Sequence, residues 1–462
     1  MSKTKILFIF SYYNPPNNII KLNDDIFIVK FIWVNQKDIT TLLPDKLINW
    51  PDVIVADEKL LDRSFSKQKV ITYSAFQRKY HKFISAILPL KQEENLRVAF
   101  FPSNDTHVKL FLPLLRFLSG YIFLVPREKE EGAKKLLEKY KIGWQTYSKK
   151  RLYNFKPDTL VLGNDWGLEE KLAIAEARRN NIPTICIQEG PLDFTLDETH
   201  RMGWADFAFI QGPIMTKYLH RSLYFITGNP RFDKLSESNK EGGNKVMINL
   251  NFTYGIEEKA KDYWLQDVVS ACRSVNLPFF ISQHPRDKSQ FNNLPVEKSN
   301  AEVIYKHLQK STILISRFST LIYEALLSGR QVVYYNPHKE KMRLFNEDKS
   351  EGVYKAYNKD ELKNLLSRIK NGEDNRVIKE RFIRFHCISA DGKSSERCFH
   401  ALKIISSFYK SKLSTDYYKK NFIYLKIKCL VAPFVRPFFR AFRNFTKNRK
   451  RLLDEKKIIK KQ

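Results

Sequence analysis

The sequence predicts an α/β protein made of two Rossmann-like, doubly wound domains with a cleft between them and a basic C-terminal tail. The first observation is that short apolar runs alternate with helical segments, which is the pattern of a parallel sheet covered by helices on both faces. The second is that this alternation stops at a polar, glycine-bearing stretch, SESNKEGGNK (236–245), and then restarts. The third is the length of 462 residues, since one hydrophobic core rarely grows past about 250–300 residues.

The first domain is assigned to residues 1–235. Its strands are predicted at KILFIF (5–10), DVIVAD (52–57), RVAFFP (97–102), YIFLVP (121–126), DTLVLGND (158–165), TICIQEG (184–190) and ADFAFIQG (205–212). Helices are predicted at DTHVKLFLPLLRFL (105–118) and GLEEKLAIAEARRNN (167–181). The strands are continuous apolar runs, which predicts that they are buried on both faces.

The second domain is assigned to residues 245–410. Its strands are predicted at KVMINLN (245–251), PFFISQHP (278–285), STILIS (311–316) and QVVYYNP (331–337), with helices at 257–275 and 321–329. Two such domains in series enclose a cleft, and ligands of doubly wound sheets bind outside the carboxyl ends of the strands.

The charge of the chain is informative about partners. The formal net charge is +30, which attracts polyanions such as nucleic acid, an anionic membrane or phosphorylated substrates. No zinc-finger spacing or RNP-type aromatic motif is present, so no nucleic-acid partner is predicted. The tail, 411–462, interleaves Phe, Leu and Val with Lys and Arg, which is typical of a segment at an anionic bilayer surface. The alternatives are a tail packed on the body and a basic surface that serves solubility alone.

The compartment is predicted from what the sequence lacks. MSKTKILFIFSYY at the N-terminus is too short for a signal peptide, and the most apolar window (110–126) contains an arginine and two prolines. The five cysteines (186, 272, 387, 398 and 429) show no paired spacing and are expected to be reduced core thiols. Together these features predict a cytoplasmic protein.

Two groups of candidate site residues follow predicted strands. Glu189 in CIQEGPLDF is placed to take a proton from an attacking hydroxyl, and the alternative is a loop acid paired with a surface lysine. His284 and Arg286 in ISQHPRDKS together suit a phosphate, and the alternative is a histidine with a plain core or capping role.

A third group lies in ISRFSTLIYEALLSG, where a strand ends and a helix begins near Ser319 or Thr320. Hydroxyls and free N–H groups at a helix start suit a phosphate, although helix capping alone explains these residues equally. Arg317 is a further candidate ligand of the same nucleotide. Glu324 is a candidate for the ribose diol, or it forms a surface ion pair.

A fourth group lies in TGNPRFDKL (227–235), where Asn229 and Pro230 predict a stiff turn between the domains. This turn presents Arg231 and Asp233 to the cleft. The alternative is an Arg–Asp pair that braces the hinge. Asn164 and Asp165 in LGNDWG (162–167) form a fifth group of candidates.

The order of these motifs resembles that of bacterial transferases that use CMP-activated ketosugars. The resemblance implies that Glu189 acts as catalytic acid or base and that His284 holds the CMP phosphate together with Ser319 and Thr320. The sequence departs from sialyltransferases of this pattern at Gln188, where they usually carry a second acid. A plain sialyltransferase is therefore not predicted.

The segments TGNPRFDKL and ADGKSSERCFHAL (390–402) resemble the interdomain and closing segments of GT-B transferases of surface polysaccharides, over roughly residues 1–410. The resemblance points most closely to the retaining β-Kdo transferases of glycosyltransferase family 99. It implies that Asp233 is a nucleophile, that the first domain lies on the acceptor side and that the second binds the nucleotide sugar.

The resemblance also implies the partners. The donor is CMP-Kdo or a close CMP-ketosugar, bound as a substrate with no separate cofactor, and the acceptor is a glycan or a lipid-linked glycan. No Asp-x-Asp pair or metal-ligand cluster is visible, so no metal is predicted. The tail would hold the enzyme on the cytoplasmic face of the inner membrane.

Three other interpretations share these features. A nucleotide-sugar 2-epimerase has the same double sheet and the Thr-Gly-Asn-Pro turn. A CDP-glycerol-type polyol-phosphate transferase has the GNPRFD-like segment and a basic membrane-seeking tail. A basic scaffold that holds assembly enzymes at the membrane is the interpretation without catalysis.

Overall fold

The computed structural model describes residues 3–11, 18–23, 27–34, 51–56, 69–89, 96–127, 132–190, 202–219, 223–237, 243–252, 258–284, 287–291, 293–300, 303–340, 352–373 and 376–409. The described residues between 4 and 89 form a four-stranded parallel sheet, in the strand order β3-β1-β4-β5, and an antiparallel pair of β2 and β6. The strands are β1 (Thr4–Ser11), β2 (Asn18–Leu22), β3 (Phe27–Val34), β4 (Val53–Ala56), β5 (Lys69–Thr72) and β6 (Ile84–Pro89), and helix α1 (Tyr73–Lys79) follows β5.

A seven-stranded parallel sheet follows, in the order β13-β12-β11-β10-β7-β8-β9. Its strands are β7 (Arg97–Phe101), β8 (Gly120–Val125), β9 (Trp144–Thr146), β10 (Thr159–Leu162), β11 (Thr184–Ile187), β12 (Phe207–Ile210) and β13 (Leu223–Ile226). Its helices are α2 (Asp105–Phe111), α3 (Ala133–Lys139), α4 (Lys149–Phe155) and α5 (Leu168–Arg179). The central strands β10, β11 and β12 are buried along their whole length, as their apolar sequences predict.

The third sheet has six parallel strands in the order β16-β15-β14-β17-β18-β19, and helix α6 (Asp233–Glu237) leads towards it. Its strands are β14 (Lys245–Leu250), β15 (Phe279–Gln283), β16 (Val296–Lys298), β17 (Ser311–Ser316), β18 (Gln331–Tyr335) and β19 (Tyr354–Ala356). The helices are α7 (Lys261–Ser274), α8 (Val303–Gln309), α9 (Leu321–Leu327), α10 (Lys359–Lys370), α11 (Arg376–Cys387) and α12 (Ser394–Phe408).

The predicted α/β class, with Rossmann-like parallel sheets in both halves of the chain, is confirmed. One difference lies in the described part of residues 1–235, where the parallel strands form two sheets instead of one. Strand β1 pairs with β3 and β4, whereas β7 pairs with β8 and β10. An apolar run predicts that a strand is buried, but its partners depend on contacts far away in the chain.

Helix α12 returns from the third sheet to the first domain and packs there. Phe399 stacks on Phe117 with ring centroids 5.1 Å apart, and Tyr409 meets Phe207 edge-on at 4.8 Å. Buried Leu402 belongs to the same hydrophobic cluster as β7 and β8. The last described helix therefore holds the two halves of the chain together.

A hydrogen-bonded clasp, which we define as residues 227–233 against residues 386–397, joins the halves at the start of α12. The Asp233 carboxylate accepts the backbone N–H of Ser394 at 2.8 Å and that of Ser395 at 2.8 Å. The Ser395 hydroxyl also donates to Asp233, at 2.5 Å. These are first-turn N–H groups that a helix cannot satisfy itself, so the buried carboxylate acts as a helix cap.

Arg397 completes the clasp from within α12. Its Nε donates to the Thr227 carbonyl at 2.8 Å, and its two terminal nitrogens donate to Asp391 at 2.8 and 2.9 Å. Burial raises the pKa of Asp391, but the hydrogen bonds and charge of Arg397 outweigh it and hold that pKa below its ordinary value. The Arg397 side chain is fully buried whereas Asp391 is exposed, so loss of Asp391 would leave a buried charge without its partner, which is costly.

Close backbone approach at Gly212 completes the contact between the halves. A Cβ atom built on Gly212 would lie 2.2 Å from the carbonyl carbon of His386. The neighbouring Gln211 side chain donates to the His386 carbonyl at 3.3 Å. Only glycine leaves room for the end of α11 against the end of β12.

Some sequence-based expectations fall on residues that the structure does not describe, namely the tail (411–462), Arg286 and Cys429. Within the ranges given above, no helix is both long and apolar enough to cross a bilayer. The four described cysteines (Cys186, Cys272, Cys387 and Cys398) are buried and not in disulfides.

We expect Gly212→Ala to lower the free energy of unfolding by about 1–3 kcal/mol or more, because backbone atoms must move to admit the methyl group. Chemical denaturation measures this loss. Gly143→Ala is the matched control, since a Cβ at Gly143 meets nothing within 4 Å. Equal stability of the two variants would contradict the close approach.

Candidate active site

The candidate site lies where the carboxyl ends of the second and third parallel sheets face each other. Glu189 and Gly190 follow β11, and Thr320 follows β17. A Cβ atom built on Gly190 would lie 3.3 Å from the Thr320 hydroxyl oxygen. The acid turn of the first domain and the helix start of the second, both predicted as site elements, are therefore in contact across the cleft.

Glu189 is bound to a buried histidine. Its carboxylate lies 2.7 Å from Nε2 of His107, and 37% of the Glu189 side chain stays exposed while the His107 side chain is fully buried. The exposed fraction matters because it leaves the carboxylate accessible to a substrate, whereas the imidazole is not. Within the pair, Glu189 is therefore the side chain that solvent can reach, and its catalytic role stays a prediction.

The hydrogen bonds of His107 define its tautomer. The backbone N–H of Ser103 donates to Nδ1 at 3.1 Å, so this nitrogen is the acceptor and the proton is on Nε2, which donates to Glu189. The Asn104 side chain caps α2 by accepting the His107 N–H at 2.8 Å. A Cβ atom at Gly163 would lie 2.2 Å from the His107 ring, so glycine is required to admit the ring.

The pKa of Glu189 is lowered. Burial raises this pKa, but the hydrogen bond and electrostatic attraction of His107, with a further contribution from Arg231, outweigh it. Glu189 is therefore ionised at neutral pH and is able to accept a proton.

Two predicted ligands, Arg231 and Glu324, form an ion pair between the domains. A terminal nitrogen of Arg231 lies 2.9 Å from Oε1 of Glu324 on α9, and both side chains are largely buried. A surface ion pair is the sequence-based alternative for the role of Glu324. An ion pair is present, but it is largely buried and the partner, Arg231, lies in the cleft. Arg231 does not pair with Asp233, whose carboxylate is engaged by Ser394 and Ser395.

Asn229 joins the interdomain turn to the Glu189 loop. Its amide nitrogen donates to the carbonyls of Gln188 and Glu189 at 3.3 and 3.2 Å, and its oxygen accepts the Arg231 N–H at 3.1 Å. Gln188 uses both ends of its amide, donating to the Gly190 carbonyl and accepting the Gln211 N–H. A carboxylate at 188 could not donate, which gives a physical reason for glutamine at this position.

Asp233 lies beside this group, inside the clasp. Burial raises its pKa, and the hydrogen bonds from Ser395 and Ser394 partly offset that rise. Both carboxylate oxygens are engaged by the start of α12. The nucleophilic role of Asp233 stays a prediction, and the contacts present are those of a helix cap.

Arg317 has the contacts of a structural ion pair. Its guanidinium binds both oxygens of Glu340, at 2.6 and 3.2 Å, and donates to the Asn251 carbonyl at 2.7 Å. Only 4% of the residue is exposed, which leaves little surface for a nucleotide. The ligand role of Arg317 stays a prediction.

The other predicted donor ligands lie along the carboxyl edge of the third sheet. His284 follows β15 and is half-buried, and Ser319 follows β17, with its hydroxyl accepting the Leu321 N–H at 3.3 Å. Strands β15 and β17 flank β14, so these residues are about two strand spacings, roughly 10 Å, apart along the edge. Arg286 is outside the described residues.

Asp165 is a structural residue, since its carboxylate accepts the backbone N–H groups of Met202, Trp204 and Ala205. Burial raises its pKa, and those three N–H groups partly offset the rise. Asn164 is buried beside it, with no hydrogen-bond partner for Oδ1 within the described part of the chain.

Sequence reasoning missed His107. It is the second residue after the polar Ser-Asn-Asp turn in FPSNDTHVK (101–109), a segment that begins with the last residue of the buried strand β7. That position is where a doubly wound sheet places ligands. The signal was available, but the segment also fits an ordinary helix start.

No protein-family model and no curated protein matches the chain. Among solved structures, UDP-GlcNAc 2-epimerase from Neisseria meningitidis, bound to UDP-GlcNAc, is 13% identical, with 66% of this chain and 99% of that chain covered and a TM-score of 0.49. The Methanocaldococcus jannaschii enzyme of the same name is 14% identical (67% and 100% covered, TM-score 0.46). The wall teichoic acid polymerase TagF is 11% identical (68% and 91% covered, TM-score 0.45).

We expect His107→Leu to raise the pKa of Glu189 from below its ordinary value of 4.5 to above it, because burial remains while the hydrogen bond is lost. A ¹³C NMR titration of labelled glutamate carboxyls, assigned with Glu189→Gln, measures the shift. Since the wild-type pKa is lowered, ionised Glu189 stabilises the fold fully above its ordinary, unfolded-state pKa, and this contribution is lost as the pH falls from there through the lowered pKa of the folded protein.

The control is His307→Leu, which removes another buried histidine whose Nδ1 lies 2.9 Å from the Ser282 hydroxyl in the third sheet. It should leave the titration of Glu189 unchanged. A Glu189 pKa that does not move in His107→Leu would contradict the assigned hydrogen bond.

Proposed function

We propose that the protein is a glycosyltransferase of surface-polysaccharide biosynthesis, which transfers a sugar from a nucleotide-sugar donor to a glycan acceptor in the interdomain cleft. The observation that carries the proposal is the ionised Glu189 carboxylate, which is held by buried His107 and is followed by Gly190, the residue that approaches the Thr320 hydroxyl across the cleft. This arrangement places a proton acceptor on the first domain and polar groups for a donor on the second.

In the transfer step, Glu189 takes the proton of the acceptor hydroxyl as that oxygen bonds to the anomeric carbon. The bond from the anomeric carbon to its leaving oxygen breaks, and the electron pair leaves with that oxygen. His107 keeps the carboxylate in one orientation, because its own ring is fixed by the Ser103 N–H. Such positioning lowers the barrier without the histidine touching the substrate.

The donor nucleotide is proposed to lie along the carboxyl edge of the third sheet. His284 and Arg286, two residues later in the chain, would neutralise the departing phosphate, and the hydroxyls of Ser319 and Thr320 would donate hydrogen bonds to it. The resemblance to CMP-ketosugar transferases makes CMP-Kdo or a related CMP-ketosugar the proposed donor.

The same resemblance proposes retention through a covalent intermediate. Asp233 would attack the anomeric carbon while the nucleotide leaves, and the acceptor oxygen, deprotonated by Glu189, would then displace Asp233. For this, the Asp233 carboxylate has to give up hydrogen bonds to the start of α12. The proposal therefore links chemistry at Asp233 to a local change in the clasp.

The acceptor is proposed to be a glycan or a lipid-linked glycan. A basic tail on the anionic cytoplasmic face of the inner membrane would bring the enzyme to such an acceptor, as sequence composition suggests. The enzyme would then be peripheral and would meet its donor in the cytoplasm.

We expect Glu189→Gln to lower kcat by about 10²–10⁴-fold with little change in the KM for the donor, because it removes the proton acceptor alone. Transfer is assayed with CMP-Kdo, UDP-GlcNAc and CDP-glycerol as donors. Glu138→Gln, an exposed acid on α3, is the control. Wild-type turnover in Glu189→Gln would refute the assignment.

The same assay separates the alternative activities. UDP release from UDP-GlcNAc without an acceptor would identify a 2-epimerase, and use of CDP-glycerol alone would identify a polyol-phosphate transferase. Either result would replace the proposed donor.

Asp233→Ala is expected to lower the free energy of unfolding by about 1–2 kcal/mol, because the start of α12 loses its cap. The control is Asn358→Ala, which removes the cap that accepts the Glu361 N–H on α10, away from the clasp. If Asp233 is also the nucleophile, folded Asp233→Ala loses transfer and keeps CMP binding, whereas Asn358→Ala keeps both. Turnover within a few-fold of wild type would leave Asp233 a cap only.

A further inference from the structure

The Arg231–Glu324 pair differs from the other buried arginine–glutamate pair of this edge. Glu340 binds Arg317 through both carboxylate oxygens, and the Asn251 carbonyl takes a further nitrogen. Glu324 makes one hydrogen bond to Arg231, through Oε1 at 2.9 Å. The Nε of Arg231 is buried without a hydrogen-bond partner in the described part of the chain.

A buried guanidinium N–H without a hydrogen-bond acceptor costs free energy. The geometry of the guanidinium also specifies which ligand could fill it. Nε and the terminal nitrogen beside it form an edge that matches two oxygens of a carboxylate or phosphate. Glu324 occupies this guanidinium with one oxygen only. An oxyanion that engaged two nitrogens would satisfy Arg231 better than Glu324 does.

The position of Arg231 places this edge in the candidate active site. The Asn229 side chain accepts its backbone N–H at 3.1 Å, and the same side chain binds the carbonyl of Glu189. The charge of Arg231 contributes to the lowered pKa of Glu189. Burial raises the pKa of Tyr305 on α8, the charge of Glu324 raises it further, and the charge of Arg231 lowers it. The guanidinium thus lies between the acid of the first domain and the nucleotide side of the second.

We propose that Arg231 is the oxyanion receptor of the cleft. Glu324 occupies the Arg231 guanidinium in the free protein, and an anionic group of the substrate displaces Glu324 when it binds. The ligand is a phosphate or carboxylate, such as the phosphate of a nucleotide or the carboxylate of a ketosugar acid. This proposal rests on the proposed function for the identity of the substrate, although binding itself requires no turnover.

The exchange has a thermodynamic consequence. The apparent affinity of Arg231 for an oxyanion is proportional to the fraction of molecules in which the guanidinium is not bound by Glu324. Glu324 therefore acts as an internal competitor. Removing its charge should strengthen oxyanion binding. If Glu324 were instead a direct ligand of the ribose, its removal would weaken nucleotide binding, and the two interpretations differ in sign.

Isothermal titration calorimetry without acceptor tests the exchange, with CMP, free Kdo and inorganic phosphate as probes. We expect Glu324→Gln to bind at least one probe about tenfold more tightly than wild type, and Arg231→Gln to bind it at least tenfold more weakly. Tightening with CMP and phosphate alone identifies a phosphate site, whereas tightening with Kdo alone identifies a carboxylate site. Unchanged or weaker binding by Glu324→Gln for every probe overturns the proposal.

The control is Asp206→Asn, which breaks the Arg178–Asp206 pair of the same 2.9 Å length at the amino end of β12, away from the cleft. It should leave the affinities unchanged, and a change equal to that of Glu324→Gln would overturn the proposal.

If Glu324→Gln does not fold, Glu324→Asp replaces it, since the shorter side chain weakens the contact and should give a smaller tightening. If the exchange is observed but no sugar is transferred, the oxyanion receptor is supported and the proposed function is refuted. If sugar is transferred but no exchange is observed, the proposed function is supported and the oxyanion receptor is refuted.

Discussion

The fold depends on one carboxylate that is buried at the joint between the two halves of the chain. Asp233 comes from the segment that leaves the first domain, and it satisfies the backbone N–H groups that begin α12, the helix that returns to that domain. Arg397 fastens the same helix to the Thr227 carbonyl. The segment that leaves the first domain and the helix that returns to it are therefore joined by one helix cap. This cap fixes the angle between the second and third parallel sheets at the point where the chain passes from one to the other.

The clasp also orders the cleft. Between Thr227 and Asp233 lie Asn229, which holds the Glu189 loop, and Arg231, which reaches Glu324 on the second domain. The seven-residue segment 227–233 therefore serves both the joint and the candidate site. A movement of the clasp would be transmitted directly to the groups proposed to bind and activate the substrate, whereas the strands behind them stay packed in rigid cores.

Much of the fold could be predicted from local pattern. Runs such as TICIQEG and STILIS are apolar, short and bounded by turns, and they form β11 and β17. Positions after strands also identified Glu189, Arg231, Thr320 and Glu324, which the structure brings to one cleft. His107 was missed because its role depends on Glu189, 82 residues later, and on the space left by Gly163.

The sequence by itself determined which segments become buried strands and which polar residues follow them, because both depend on neighbours within a few residues. Tertiary structure alone decided the partners. It separated β1 from the seven-stranded sheet, paired Arg231 with Glu324 instead of Asp233, and gave Asp233 to a helix more than 150 residues away. These outcomes are set by competition among charges and hydrogen-bonding groups that meet only after the chain has folded, so no local pattern encodes them.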